Sequence, residues 1–581
     1  VDDIGFSSAP PEAYESFSIA RLIVGLLLLI PGAALYIYVQ LLPALRTFAT
    51  SQTSRSVLRE GEYLGLENFT RLFDDPAYGQ AVGYTALIVV VRLLIVAVIP
   101  PLVGTMVGAQ GFPGRATNRV LMSALAVLTA PVAVIVLYAA FISPVWGTSP
   151  SPLTGQPVLS SPDGARGSVL LVDAIITLGI AVVVGGAAFM AVMRGRDVSM
   201  SSSRAGIGVW LLGLLLVAAS GAATFTVPYL LTGGGPAMNT TTTALSFFNQ
   251  AFRNLNFGYG SAQAVFLIIP AAFFGLMAGI IIWVFRLRLS FTPAARPAEA
   301  AGLLRFLSVP LIVLLGLPAL GLFIWGIWLT ASAGGFSRLS EVGDTGRLLS
   351  NTITAPWLAI WLVQIPLTYL IGMALGFVRP ISRAVSNIIF LVFIVLAFIP
   401  SIALSISWYT SLTDMGALNS NQAIAFGFVV NVFSLIVFKL FFDGAYERNR
   451  VAINAGQAPT DAFLNTTLLP SLGVVLLVGA GLSFASAQNL LWPLIVTNDR
   501  ALYGFPIQLA AQRGSFGADY PLLTGLAVTF TGLLALIFLP IFALLQVLVV
   551  DRLAILAGPP TDDEWAKPKR PLVEQKPTIG Y

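Results

Sequence analysis

A helix needs about twenty apolar residues to cross the hydrocarbon core of a bilayer. This sequence supplies that length about twelve times. The runs fall near residues 20–43, 83–108, 119–143, 168–193, 207–230 and 262–286, and then near 306–331, 354–377, 384–408, 422–442, 470–489 and 522–549. Backbone polar groups in lipid must be satisfied within the segment, so such runs fold as helices. The fold class is therefore an all-α polytopic membrane protein, its spans arranged as six plus six. The first run follows a polar, acidic stretch (Val1–Ser18) without a basic leader and reads as a retained span, not a cleaved signal.

Composition narrows the function. Only 10% of the 581 residues are charged, 57% are hydrophobic, and the mean hydropathy is +0.87; a soluble domain carries roughly 25% charged residues. Cysteine and histidine are absent, which removes disulfides, thiolate metal sites, the commonest general base and histidine proton relays. The four lysines are Lys439, Lys567, Lys569 and Lys576, and none follows a glycine-rich phosphate loop. Nucleotide, if it drives this protein, must bind another subunit. The chain is expected to have no cofactor and to perform no chemistry itself.

The net charge of +5 reads as the positive-inside bias of a bilayer protein, with no nucleic-acid partner. Placing both termini in the cytoplasm puts Arg115 and Arg119, Arg194, Arg196 and Arg204, Arg286, Arg288, Arg296 and Arg305, and Arg379 and Arg383 in short inner loops. The outer loops are then 45–82, 144–167, 231–261 and 490–521. The expected location is the cell membrane, in contact with lipid on many faces.

Several ordered motifs carry a family resemblance. Leu64-Gly65-Leu66-Glu67-Asn68-Phe69 precedes Arg71-Leu72-Phe73 and Asp75-Pro76. Leu231-Thr232-Gly233-Gly234-Gly235-Pro236 is followed by Phe257-Gly258-Tyr259-Gly260-Ser261-Ala262. Asn351-Thr352, Ile399-Pro400 and Met415-Gly416-Ala417-Leu418-Asn419-Ser420 mark the second half, which ends its last outer loop with Leu491-Trp492-Pro493 through Tyr520-Pro521. In this order the motifs resemble the two membrane subunits of the maltose-type carbohydrate ABC permease family, fused in one chain.

The resemblance implies two six-helix type I permease halves, 1–290 and 305–552. A cytoplasmic linker (291–304) joins them, and a proline-rich disordered tail (553–581) follows. It also implies two partner ABC ATPases and an extracytoplasmic solute-binding protein. The coupling loop of the second half falls at 443–470, with Glu447, Arg450, Ala452, Gly456 and Phe463 at the family's motif positions. A glycine there permits a tight turn. Arg450 stands where the family has glutamate, and Ala455 where it has aspartate. The matching loop of the first half, near 194–204, is short and degenerate. Tyr503, Gln508, Gln512, Arg513 and Asp519 lie on the outer loop that faces the binding protein in the family.

Candidate pathway residues come from cost and type. Ionisable groups inside a span cost roughly 2.5–3.5 kcal/mol on insertion scales. Arg92 and Asp173 are such groups, and pairing them would offset part of that cost. Its structural reading stands beside a sugar-contacting one. Lys439 lies near the inner end of its run and reads as snorkelling. Gln364, Asn387, Trp408, Asn431, Gln488, Asn489 and Trp492 have the amide and aromatic chemistry that sugars use. Each also fits an interhelical hydrogen bond. The expected function is the transmembrane subunit of a sugar importer. The alternative is a permease-derived scaffold without ATPase coupling. An ion-coupled transporter fits less well, because its usual signature is several intramembrane carboxylates or histidines and Asp173 stands nearly alone here.

Overall fold

The computed structural model describes residues 18–57, 59–142, 158–196, 202–292, 304–514 and 520–558. Among them, nine helices are long and apolar enough to cross a membrane, and two further pairs of helices pass that test together across a sharp bend. The membrane-scale helices of the first half are α1 (Ile19–Ser51), α2 (Pro76–Gly108), the bent pair α3 (Phe112–Leu128) and α4 (Pro131–Ile142), α5 (Pro162–Gly195), α6 (Ser203–Leu231) and α7 (Phe257–Phe285). Strand β1 (Arg288–Phe291) follows. The second half repeats the order: α8 (Phe306–Ser332), α9 (Thr345–Val378), the bent pair α10 (Arg383–Phe398) and α11 (Ser401–Asp414), α12 (Val432–Asn454), α13 (Pro459–Ala487) and α14 (Tyr520–Arg552). It ends in β2 (Leu553–Leu556).

Local chemistry sets these boundaries. Asp75 caps α2 by accepting from the Ala77 N–H, with Pro76 in the first turn, where its missing N–H costs nothing. Ser161, Asp344 and Ser382 cap α5, α9 and α10 in the same way. The third span of each half breaks at a proline. Pro131 ends the α3 path with a bend of 67°, and Pro400 ends α10 with a bend of 80°. Proline has no N–H to continue the ladder, and its ring crowds the preceding turn.

The run at 422–442 differs from its expected form. A short helix covers Asn421–Phe426, and α12 then starts at Val432 and continues to Asn454 with Lys439, Asp443, Glu447, Arg448 and Arg450 along it. This helix fails a purely apolar test because its second half is charged.

The halves are interleaved. α1 packs on α9 and α10 of the second half, and α8 packs on α3 and α4 of the first. At the basic end of the bundle, β1 and β2 pair antiparallel, Leu289 opposite Ile555. The linker and tail boundaries shift accordingly. Phe291 belongs to a strand, and 553–556 form a buried strand rather than the start of a disordered tail. Linker residues 293–303 and tail residues 559–581 lie outside the described residues. β1 runs against α12, and β2 against α5. Each contact is keyed by a glycine. A Cβ on Gly444 would lie 2.0 Å from the Leu289 carbonyl oxygen, and one on Gly195 would lie 2.4 Å from that of Ile555.

Candidate functional site

A cavity of about 310 Å³ lies inside the bundle. Its walls come from α1 (Gln40), α6 (Ser220), α9 (Gln364), the α10–α11 break (Phe398–Ser401), α11 (Trp408), the start of α12 (Asn431) and the end of α13 (Ser486), with Asn489 just beyond. The proline break opens this space: Ile399 and Pro400 both line it.

Gln364, Trp408, Asn431 and Asn489, separated by up to 125 residues in sequence, thus meet around one cavity. Asn431 caps α12, its Oδ1 accepting from the N–H groups of Phe433 (2.8 Å) and Ser434 (3.4 Å). Gln364 lies on a π-helical turn, Ile360–Gln364, a feature frequent at functional sites. Its Nε2 donates to Ser434 Oγ at 3.3 Å. Asn489 Oδ1 accepts from the Trp492 N–H at 3.2 Å. The Trp408 indole N–H donates to the Val39 carbonyl at 2.8 Å. In an α-helix that carbonyl would pair with position 43, a proline without an N–H. Trp408 also packs edge-on against Trp492, with ring centroids 5.2 Å apart.

Gln488 takes a different place. It is buried away from the cavity wall, and its Oε1 accepts from the Val132 N–H at 3.3 Å. It satisfies a first-turn donor of α4, where helices leave N–H groups unpaired. Its contact is structural and joins the break of one half to the other half. Gln40 went unnoticed in the sequence. It occupies another π-helical turn, Ile37–Leu41, inside an apolar run that offers no motif to flag it.

Arg92 and Asp173 form a bidentate pair, Nε–Oδ2 2.8 Å and Nη2–Oδ1 2.5 Å. Asp173 is 1% exposed. Arg92 also donates from Nη1 to Ser220 Oγ at 3.3 Å, so the pair stands behind the wall rather than on it. Lys439 does not snorkel. It is fully buried and pairs with Asp443, while Asn387 Oδ1 accepts from its ammonium at 3.3 Å. Burial one turn from a carboxylate on the same helix outweighs escape to the interface.

At the basic end, α12 and α13 meet in an exposed turn. Gly456 has φ +88°, in the left-handed region that favours glycine. The N–H groups of Gly456 and Gln457 close the helix by donating to the Ile453 and Ala452 carbonyls. Glu447 is buried, and Arg450 Nη2 lies 3.4 Å from its carboxylate. Arg450 is therefore held within α12. Phe463 packs on Phe377 of α9, centroids 5.5 Å apart. In the first half, Arg194 Nη2 is 2.8 Å from Asp551 Oδ1, which Arg115 and Arg119 also approach at 3.2 Å. Residues 197–201 of the expected first-half loop lie outside the described residues.

At the opposite end, the segment after α13 is packed onto α9. Asn351 Nδ2 donates to the carbonyls of Ala501 (2.7 Å) and Tyr503 (3.1 Å), and the Phe505 N–H donates to Thr352 Oγ1 at 2.9 Å. Tyr503, Gln508 and Gln512 are half-buried there. Arg513 ends up in the helix Phe505–Gly514, and Asp519 lies outside the described residues.

No family model matches the chain. It is 26% identical over 272 residues to the sulfoquinovosyl glycerol transport system permease protein SmoG of Agrobacterium fabrum, a match covering 42% of this chain and 85% of that protein. The chain is thus similar to a sugar-transport permease, and its many apolar helices make it a multi-pass membrane protein.

Proposed function

We propose that this chain is the membrane subunit of an ABC sugar importer, with both permease halves fused and both termini cytoplasmic. Separate ATPase subunits drive it, and an extracytoplasmic binding protein feeds it. The observation that carries this reading is the cavity. It sits at the proline break of a bundle, takes residues from both halves, and is walled by amides, hydroxyls and aromatic rings. Ligand sites of this size combine apolar walls with a few placed polar groups. Similarity to a sugar-transport permease supports the same reading.

The Gly456 turn is the surface that would dock an ATPase, and the segment around Tyr503, Gln508, Gln512, Arg513 and Asp519 the surface that would meet the binding protein. The cycle would switch the cavity between the two faces by moving the helices that wall it. The test is a gentle detergent pull-down of the full chain, with mass spectrometry of partners and an ATPase assay of the eluate. Recovery of nucleotide-binding subunits supports the importer.

A scaffold reading has one observation in its favour. Arg450 and Ala455 replace two acidic positions of the family's coupling loop, and Arg450 is engaged with Glu447. A crosslinked pull-down holding other membrane subunits and no ATPase would support it and sink the importer.

A further inference from the structure

The two halves carry the same arrangement of positions at the basic end, with the charges exchanged. The third span of each half begins with an Arg-Ala pair, Arg115-Ala116 and Arg383-Ala384. Asp551 stands two residues before β2, and Arg286 two residues before β1. Arg194 and Asp443 each precede the glycine that a strand carbonyl approaches. The first-half set is closed around a carboxylate: Arg115, Arg119 and Arg194 reach Asp551 Oδ1 at 3.2, 3.2 and 2.8 Å.

The second-half set has no such carboxylate at its centre, because Arg286 takes the place of Asp551. Asp443, in the place of Arg194, pairs with Lys439 on its own helix and with Arg379 at 3.4 Å. Glu447 pairs with Arg450. The charges of Arg286 and Arg383 act on each other, yet among the described residues neither guanidinium makes a hydrogen bond or an ion pair. Arg286 is exposed and Arg383 half-buried, so both are open to an outside partner. Two adjacent cations without an anion repel, and the first half shows what this arrangement accepts.

Packing shows where the anion would lie. α7 and α10 run antiparallel, Gly275 against Val395 and Gly279 against Leu391, which brings Arg286 level with Arg383. α1 lies along another side of α10, Gly25 against Pro380 and Tyr36 against Phe393. At the outer end, α1 meets α7 through Leu42–Ser51. Toward the basic end, Ile19–Tyr36 makes no comparable contact with α7 among the described residues. The two helices therefore diverge, with α10 as the floor between them. Ala384, Ile388 and Val392, at every fourth position of α10, are exposed, Ile388 by 53% and Val392 by 59%. This apolar stripe lies within the span and ends at the two arginines.

We propose that the groove between α1 and α7 holds one anionic phospholipid, its phosphate between Arg286 and Arg383 and an acyl chain along Ile388 and Val392. Guanidinium forks match phosphate oxygens, and basic residues at the membrane surface attract anionic lipid. A positive-inside bias alone would place arginines in the inner loops. It would not set two of them, without counter-ions, at the end of an apolar groove.

The test uses the purified full chain, delipidated in detergent, and counts bound lipid by native mass spectrometry. The probes are phosphatidylglycerol and phosphatidylcholine with identical acyl chains. One phosphatidylglycerol is expected to bind at least about tenfold more tightly than phosphatidylcholine, and Arg286→Gln/Arg383→Gln to weaken it by about tenfold or more, the effect of two surface cations. Ile388→Trp keeps both charges and obstructs the floor; it should weaken phosphatidylglycerol as well. Arg55→Gln/Arg59→Gln removes two exposed arginines at the outer end and should change nothing. All of these positions are exposed or half-buried, and melting temperatures should stay at the wild-type value. Equal binding of the two lipids, wild-type affinity in the Arg286/Arg383 or the Ile388 variant, an equal loss in the outer-end variant, or displacement of the lipid by excess inorganic phosphate overturns the proposal.

Discussion

The Arg92–Asp173 pair offers a quantitative check on the packing behind the cavity. Asp173 is 1% exposed and its carboxylate accepts from two guanidinium nitrogens. Removing one partner of a buried pair leaves the other charge uncompensated, at a cost of about 3–5 kcal/mol. Arg92 is 15% exposed on its side chain and keeps its bond to Ser220. Asp173→Asn should therefore fall at the low end, about 3 kcal/mol. Arg92→Met strands a carboxylate with almost no solvent and should cost about 4 kcal/mol. The double variant Arg92→Met/Asp173→Leu replaces both charges with apolar groups of similar size, a change that is often neutral. A double-mutant cycle by reversible unfolding in mixed micelles measures the coupling. Additive single-variant costs in the double variant would refute a structural pair. They would show that each charge answers to something other than its neighbour.

Four further changes probe other contacts. Gly444→Val and Gly195→Val each push a side chain into a strand carbonyl that cannot rotate away; each should cost about 1–3 kcal/mol by overpacking, and unchanged unfolding midpoints would show that the strands do not lie on these helices. Trp408→Phe removes the donor to the Val39 carbonyl and should cost about 1–3 kcal/mol, read from the same unfolding assay; no loss would mean that this bond is not made. Gly456→Val places a β-branched residue at φ +88° where nothing crowds the new Cβ. Its strain of about 1–2 kcal/mol should distort the exposed turn rather than the bundle. Co-purifying ATPase should be lost with little change in melting temperature, and full retention would remove the turn from the coupling scheme.

The helices were legible because a bilayer leaves an apolar run one stable fold. Ile399-Pro400 was visible as a motif within the run 384–408, although its role in breaking that run and opening the cavity was not. Gln364, Trp408, Asn431 and Asn489 could be chosen by side-chain chemistry, but the same criterion admitted Gln488, which serves the Val132 N–H instead. Residue type does not report direction around a helix, and direction decides which amide meets the cavity. Gln40 was hidden by its apolar surroundings and by a π-helical turn that leaves no mark on composition. Lys439 was misjudged because distance from the end of an apolar run says nothing about a carboxylate waiting one turn away. The strands were illegible for another reason. Arg-Leu-Ser-Phe and Leu-Ala-Ile-Leu are too short to signal a strand alone, and each finds its partner more than 260 residues away.

That pairing makes a demand on any transport cycle. Each strand continues the last helix of one half and packs on a helix of the other, so the ladder ties the halves together at the basic end. If the halves parted there in each cycle, four residues of backbone pairing would break and two glycine contacts would open with it. The absence of cysteine gives a clean background for testing this. Leu289 and Ile555 are register partners, and antiparallel partners have Cα atoms about 4.5–5.5 Å apart, inside the range of about 4.4–6.8 Å that a disulfide spans. Leu289→Cys/Ile555→Cys should therefore crosslink readily under mild oxidation. Because the clasp grips both halves through buried backbone, the crosslinked protein is expected to keep at least about half of its substrate-stimulated ATPase activity in the reconstituted complex, since a lock on a joint that stays shut leaves motion elsewhere free. Failure to crosslink would refute the register. Efficient crosslinking with activity abolished, and restored by reductant, would refute the fixed joint and make the ladder itself the element that opens.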